Sequence, residues 1–136
     1  MNATTNAFQG VRAIVKPYNI LLVDDEEYIL KFVVILLKAY GYQVLTAPNG
    51  VKGLEIIRSG IVDLVVTDLL MPEMDGISFI QQIRTFSKLP IIVLSAAESD
   101  QMRQQAIDNG ATDYFSKPFD PRILVERIAA RLPIER

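Results

Sequence analysis

The stretch ILLVDDEEYIL, residues 20–30, joins a short apolar run directly to four carboxylates, Asp24, Asp25, Glu26 and Glu27. A short continuous run rich in valine, leucine and isoleucine is typical of a parallel strand that is covered on both faces. Similar runs recur further along the chain at residues 44–45, 64–66 and 91–94, and a more mixed run, TDYFSK, begins at Thr112. The sequence therefore predicts five strands, and the first of them ends in acids.

Segments with the apolar spacing of amphipathic helices separate these runs. The second to fifth segments lie at about residues 51–59, after the Asp75-Gly76 turn, at about residues 98–109, and after Asp120. Asp120 is a suitable N-cap, and it is followed by Pro121 at the first helical position. The first and clearest segment ends at Gly41, and its predicted buried stripe is Ile29, Phe32, Val33, Leu36, Leu37 and Tyr40. Strands that alternate with helices predict an α/β fold with a doubly wound parallel sheet.

Composition excludes several classes of function. The chain has 136 residues, which predicts one domain, and its net charge of −2 comes without a basic cluster for nucleic acid. Cysteine and histidine are both absent, so thiolate and imidazole metal sites and histidine general bases are excluded. Because no apolar run is long enough to span a bilayer and residues 1–10 do not resemble a secretory signal, we expect a cytoplasmic protein without membrane contact.

Polar residues stand where the predicted strands end. Asp24 and Asp25 follow the first strand, Asp68 the third, Ser95 the fourth and Lys117 the fifth. In open parallel sheets these ends share one edge, where ligands bind. Several carboxylates at one edge repel one another unless a cation is present, and a site with only oxygen ligands suits Mg²⁺ first and Mn²⁺ next. With a lysine nearby, this pattern predicts phosphoryl transfer with Asp68 as the nucleophile.

Four motifs in this order resemble the receiver domain of two-component response regulators. They are VDDEE (residues 23–27), VTDLLMPEMDG (residues 66–76), VLSA (residues 93–96) and DYFSKPF (residues 113–119). The resemblance covers about residues 18–132 and implies a flavodoxin-like fold with strand order 2-1-3-4-5. Residues 1–17 are polar and mixed in composition and are expected to be a flexible tail, and residues 133–136 are expected to be the end of the chain or the start of a linker.

The resemblance also implies a role for each site residue. Asp68 matches the phosphoacceptor, and Asp24, Asp25, Asp68 and the main-chain carbonyl of Leu70 match the Mg²⁺ ligands. Ser95 and Lys117 match the groups that contact the phosphoryl group, and Tyr114 matches an aromatic residue that moves with Ser95 during switching. The peptide bond between Lys117 and Pro118 matches one that is usually cis in the family.

Partners follow from the same resemblance. The phosphoryl donor would be a phosphohistidine on a sensor histidine kinase or a phosphotransfer protein, docking on the first helix, where Leu30, Val34 and Ile35 lie off the predicted stripe. The target would be a downstream protein or an output domain lost from this chain. The surface that controls it would be formed by the fourth helix, the fifth strand and the fifth helix. The resemblance also implies a phosphorylation-dependent homodimer as an alternative, although Ile123 stands where receivers that form such dimers often carry an acid.

Two further expectations concern the rate of self-dephosphorylation and whether the chain is an enzyme. Leu70 and Ala97 occupy positions where other receivers carry residues that influence hydrolysis, and neither can orient water, so self-dephosphorylation should be slow. The chain is expected to be a signalling switch and not an enzyme. The alternative is a small phosphatase of the haloacid type, although that class needs a second aspartate at the position of Leu70.

Overall fold

The computed structural model describes residues 17–96 and 99–133. Residues 1–16 of the predicted tail, Ala97, Glu98 at the predicted start of the fourth helix, and residues 134–136 lie outside the described residues. Five strands and five helices alternate along the described chain: β1 Asn19–Val23, α1 Glu27–Ala39, β2 Gln43–Ala47, α2 Gly50–Arg58, β3 Leu64–Thr67, α3 Gly76–Arg84, β4 Ile91–Ser95, α4 Asp100–Asp108, β5 Asp113–Ser116 and α5 Pro121–Arg131.

All neighbouring strands are parallel, and the sheet has the order β2-β1-β3-β4-β5, which confirms the predicted fold. Side chains that alternate along each strand face opposite sides of the sheet. Leu21 and Val23 of β1 pack with residues of α2, α3 and α4, whereas Ile20 and Leu22 pack with residues of α1 and α5. The continuous apolar runs arise because helices cover both faces of the three central strands.

Side-chain caps begin four of the five helices. The N-cap residues of α2, α3, α4 and α5 each accept a hydrogen bond from a main-chain N–H in the first turn of their own helix. These residues are Asn49, Asp75, Ser99 and Asp120. The predicted cap at Asp120 and the predicted first helical residue, Pro121, are both confirmed.

The predicted buried stripe of α1 is partly wrong. Val33 and Leu37 are buried, but Phe32 is 47% exposed and Tyr40 is 58% exposed. Successive helical residues are about 100° apart, so Phe32 lies well to one side of a stripe centred on Val33, and Tyr40 is the C-cap residue beyond the last turn. Leu30 and Val34, predicted to lie off the stripe, pack against the core.

Candidate functional site

Three carboxylates meet at the carboxyl edge of the sheet. Asp24 and Asp25 directly follow β1, and Asp68 directly follows β3, its neighbour in the sheet. The main chain holds two of them in place, because Asp24 N–H donates to the Ala47 carbonyl and Asp68 N–H donates to the Val23 carbonyl. One carboxylate oxygen from each aspartate lies within 4.8 Å of the others, so the three could share one metal ion.

The Asp68 carboxylate has a fixed orientation. It is buried, and its Oδ1 accepts hydrogen bonds from the main-chain N–H groups of Leu69 (2.7 Å) and Leu70 (3.2 Å). Gly76 closes the loop that follows by donating its N–H to the Leu69 carbonyl at 2.8 Å. A Cβ atom at Gly76 would lie 2.4 Å from Leu69 Cα, so glycine is required for this close approach.

Lys117 brings a positive charge to the acids from the far end of the sequence. Its Nζ lies 2.9 Å from Asp24 Oδ2, 3.3 Å from Asp68 Oδ2 and 2.7 Å from Glu26 Oε1. Its main-chain N–H donates to the Ser95 carbonyl at 2.9 Å, and the Lys117–Pro118 peptide bond is cis, the geometry that the sequence resemblance implies. Burial alone would lower the pKa of the Lys117 ammonium, but hydrogen bonds to Glu26 and Asp24 outweigh it and raise the pKa.

For the Asp24 carboxyl group, the effect of burial on the pKa outweighs the effect of its hydrogen bonds. Burial raises the pKa of this carboxyl group above its ordinary value, and the Asp68 charge adds to the effect. A hydrogen bond from Glu26 N–H to Asp24 Oδ1 (2.9 Å) and the Lys117 ammonium oppose the rise in pKa without cancelling it. A negative charge on Asp24 is therefore costly in the protein alone, and a nearby cation would relieve this cost.

Ser95 and Tyr114 form the other side of the site. Ser95 ends β4 and is fully buried, and Tyr114 in the neighbouring strand β5 is 8% exposed. Burial raises the pKa of the Tyr114 hydroxyl, while a hydrogen bond with the Ser95 side chain opposes this rise. The guanidinium of Arg103 in α4 lies 5.6 Å from the centre of the Tyr114 ring. Tyr114 thus joins β4, β5 and α4.

The residues present fit a hard divalent cation. The cluster has four carboxylates, those of Asp24, Asp25, Asp68 and Glu26, and one ammonium, which contacts all of them except Asp25, so acidic groups outnumber the basic one. Two carboxylate charges 4.8 Å apart repel by roughly 3 kcal/mol at an effective dielectric constant of about 20. Oxygen ligands without sulfur or imidazole suit Mg²⁺ and Mn²⁺.

Glu26 is the contact that the sequence interpretation missed. It stands next to the Asp24-Asp25 pair, but the sequence offered no sign that its side chain would meet a lysine 91 residues away. The structure shows that Glu26 is the N-cap residue of α1, a position where glutamate is not among the preferred residues, and the sequence alone did not identify that position.

The fold and this acidic edge define a doubly wound α/β domain of the kind that binds ligands beyond its strand ends. The chain matches the family model described as the response regulator receiver domain over residues 20–129, and it belongs to that family, whose members are the receiver domains of two-component systems.

Individual relatives agree with this assignment. The chain is 40% identical over 117 residues to a probable transcriptional regulator, ycf27, of Cyanidium caldarium, covering 86% of this chain and 47% of that protein. The structure of chemotaxis protein CheY4 of Vibrio cholerae matches with a TM-score of 0.78 and 30% identity, covering 86% of this chain and 100% of that one. The BeF3-activated N-terminal receiver domain of RstA from Klebsiella pneumoniae matches with a TM-score of 0.80 and 26% identity, covering 83% and 97%.

The chain spans about half the length of several curated relatives that it matches. Within residues 17–96 and 99–133, no helix has both the length and the apolar character needed to cross a bilayer.

Proposed function

We propose that this receiver domain is a phosphorylation-operated switch in which Asp68 accepts a phosphoryl group from a phosphohistidine. The donor is a sensor histidine kinase or a histidine phosphotransfer protein, and the exchange takes place in the cytoplasm, where ATP is available to the kinase. The observation that carries the proposal is the convergence of Asp24, Asp25 and Asp68 with the Lys117 ammonium at one edge of the sheet.

The transfer needs a fixed nucleophile and compensation of charge. Asp68 Oδ1 is held by two main-chain N–H groups, which leaves Oδ2, on the Lys117 side, to attack phosphorus. The new O–P bond makes an acyl phosphate as the P–N bond to the donor imidazole breaks, and the electron pair of that bond stays on the imidazole nitrogen. No histidine of this chain is needed, which agrees with its composition.

Asp24, Asp25, Asp68 and the main-chain carbonyl of Leu70 would hold Mg²⁺, and Mn²⁺ suits the same oxygen ligands. The ion, when bound, neutralises charge on the phosphoryl oxygens. Lys117 then contacts the phosphoryl group from the other side as a compact positive charge, and Ser95 donates its hydroxyl hydrogen bond.

Switching follows from the Ser95–Tyr114 connection. Phosphorylation replaces the single negative charge of the Asp68 carboxylate with a phosphoryl group that carries about −1.5 to −2 charges, and the phosphoryl oxygens attract the Ser95 hydroxyl. Because Tyr114 shares a hydrogen bond with Ser95 and lies against Arg103, a shift of Ser95 changes the contacts between β5 and α4. Phosphorylation would shift an existing equilibrium of the α4, β5 and α5 surface, and this surface controls a partner protein or an output domain.

The exposed apolar residues of α1 provide a docking surface for the donor protein. Tyr28 is 89% exposed and Ile35 is 70% exposed, with Phe32 between them in contact with the Phe119 ring. Exposed apolar side chains grouped on one helix are typical of a protein-binding site. The surface lies on the helix that begins at the acidic site, so a partner bound there can present its phosphohistidine to Asp68.

The proposal makes the domain a switch that assists only its own phosphorylation and dephosphorylation, and not a phosphatase of the haloacid type. Leu70 is 53% exposed and carries no acid to protonate a leaving group. Turnover of a small phosphoester by the purified chain would favour the phosphatase instead.

Intact-mass measurement tests the proposal. Incubation with acetyl phosphate and Mg²⁺ should add one phosphoryl group to the chain, and Asp68→Asn should prevent it. Glu55→Gln, a change at an exposed acid of α2, is the matched control and should leave the adduct unchanged. An adduct that forms equally without Mg²⁺, or on the Asp68→Asn variant, would contradict the proposal.

A further inference from the structure

Glu26 occupies a helix N-cap without capping the helix. The other four helices begin with Asn49, Asp75, Ser99 and Asp120, and each of these side chains accepts a hydrogen bond from its own helix. Glu26 makes no such bond at α1, although its backbone has the extended conformation of an N-cap residue. Its carboxylate is directed elsewhere, and the first turn of α1 lacks the stabilisation that a shorter acid would give.

The Glu26 carboxylate instead reaches Lys117. Its Oε1 lies 2.7 Å from Lys117 Nζ, which is shorter than the distances from Nζ to Asp24 (2.9 Å) and Asp68 (3.3 Å). The main-chain N–H of Glu26 donates to Asp24 Oδ1, so the residue that competes for the lysine is held in place by the metal-binding acid itself. The ammonium therefore lies nearer to Glu26 and Asp24 than to the carboxylate that is to be phosphorylated.

We propose that Glu26 is a positioning residue that holds the Lys117 ammonium away from Asp68 and competes for it with the incoming phosphoryl group. This inference rests on the proposed function of Asp68 as phosphoacceptor. The Lys117 ammonium has three N–H donors, and they already serve Glu26, Asp24 and, at the longest distance, Asp68, so a strong contact with a phosphoryl group on Asp68 has to be made at the expense of Glu26 or Asp24. The contact between Glu26 and Lys117 slows phosphorylation, but it also keeps part of the lysine's charge off Asp24 and so leaves Asp24 more available to Mg²⁺.

The two effects have opposite consequences when Glu26 is removed. Without Glu26, Lys117 moves towards Asp68, where it can compensate the charge of the phosphoryl group from the outset. At the same time Lys117 binds Asp24 more firmly and competes better with Mg²⁺. Removal therefore combines a faster reaction at saturating Mg²⁺ with a higher Mg²⁺ requirement, whereas a merely damaged site would react more slowly at every Mg²⁺ concentration.

Three variants separate the contact from the charge. Glu26→Gln removes both the ion pair and one negative charge. Glu26→Asp keeps the charge, but aspartate is a good N-cap and would turn to the first turn of α1, so the contact with Lys117 is lost. Glu27→Gln removes the same charge one residue further on and is the matched control, because Glu27 is exposed and lies in the first helical turn.

The rate of adduct formation with acetyl phosphate is measured by intact mass across a range of Mg²⁺ concentrations. We expect Glu26→Gln and Glu26→Asp to raise the rate at saturating Mg²⁺ by about two- to fivefold, the value of one partly exposed ion pair, and to raise the half-saturating Mg²⁺ concentration by a similar factor. Glu27→Gln should change neither quantity. Thermal denaturation checks that all variants are folded.

A second measurement needs neither phosphoryl donor nor metal. The ¹⁵N resonance of the Lys117 ammonium should shift in Glu26→Gln and Glu26→Asp and stay in place in Glu27→Gln. Glu26→Asp that behaves like the unmodified chain in both measurements would overturn the proposal, because charge alone would then explain the effect of Glu26→Gln. If the unmodified chain forms no Mg²⁺-dependent adduct, the proposed function fails, while the resonance still decides whether Glu26 holds Lys117.

Discussion

Asp113→Asn should destabilise the domain because it weakens the contact between β5 and α5. The Asp113 carboxylate is buried and accepts hydrogen bonds from Arg127 Nη1 (2.8 Å), Arg131 Nε (2.8 Å) and Arg131 Nη2 (3.0 Å). An asparagine could accept from one arginine only, and its amide N–H would face the other. The arginine side chains are about two-fifths exposed, so solvent screening limits each ion pair to about 1 kcal/mol, or about 2 kcal/mol together.

This loss corresponds to a measurable change in melting temperature. The entropy of unfolding is about 2.1 cal/mol/K per residue, and for the roughly 115 described residues 2 kcal/mol lowers Tm by about 8 °C. Circular dichroism at pH 7 provides the measurement. The control is Asp108→Asn, which changes an exposed acid of α4 and should lower Tm by no more than about 2 °C, since surface substitutions cost about 0.5 kcal/mol or less.

The pH dependence tests the same contact. Burial would raise the pKa of Asp113, but the hydrogen bonds from Arg131 and Arg127 outweigh it and hold the pKa below its ordinary value of 3.8. An acid with a lowered folded-state pKa contributes stability that is present above pH 3.8 and is lost as the pH falls through the folded-state value. The difference between the variant and the unmodified chain should therefore be constant from pH 7 to 5 and shrink below pH 3.8. A Tm change under 2 °C at pH 7, or a difference that grows in acid, would refute the reasoning.

Three further predictions concern the site and the surface. Gly76→Ala should cost about 3 kcal/mol and reduce Asp68 phosphorylation, because its Cβ would lie 2.7 Å from the Asp68 carbonyl oxygen. Gly53→Ala, whose Cβ would have side-chain atoms of Phe79 and Val23 and not backbone as its nearest neighbours, should cost about 1 kcal/mol or less in urea denaturation. Leu70→Asn should accelerate loss of the phosphoryl group at least about tenfold by orienting water, and a time course as slow as that of the unmodified chain would contradict the expected role of Leu70. Ile123→Glu should raise the dimer population with beryllium trifluoride by up to about fivefold in light scattering, and a decrease would exclude a dimer through α5.

The fold could be predicted from sequence because the pattern is redundant. The apolar runs, the turn glycines, the Asp75-Gly76 turn and the cap at Asp120 all agree with one alternation of strands and helices. Which residues of α1 are exposed could not be predicted from the sequence. The apolar residues of this helix lie on several of its sides, so their spacing fits more than one overlapping buried stripe. Packing against the sheet chooses the stripe centred on Val33 and Leu37.

The candidate site likewise has contacts that could be predicted from the sequence and contacts that could not. The meeting of Asp24, Asp25, Asp68 and Lys117 follows from where strands end, since parallel strands bring their carboxyl ends together. The contact of Glu26 with Lys117 depends on a side-chain direction at a helix terminus, and that of Arg131 with Asp113 depends on how α5 lies against β5. Neither is encoded in the spacing of residues along the chain.

A crystal structure grown with Mn²⁺ and beryllium trifluoride would test the central claim most directly, because Mn²⁺ can be located by its anomalous scattering. The proposal predicts one anomalous peak about 2.0–2.3 Å from oxygens of Asp24, Asp25, Asp68 and the Leu70 carbonyl, with the Lys117 ammonium moved from Glu26 to the beryllium trifluoride on Asp68. Absence of a peak among these oxygens, with Lys117 still paired to Asp24 and Glu26, would contradict it.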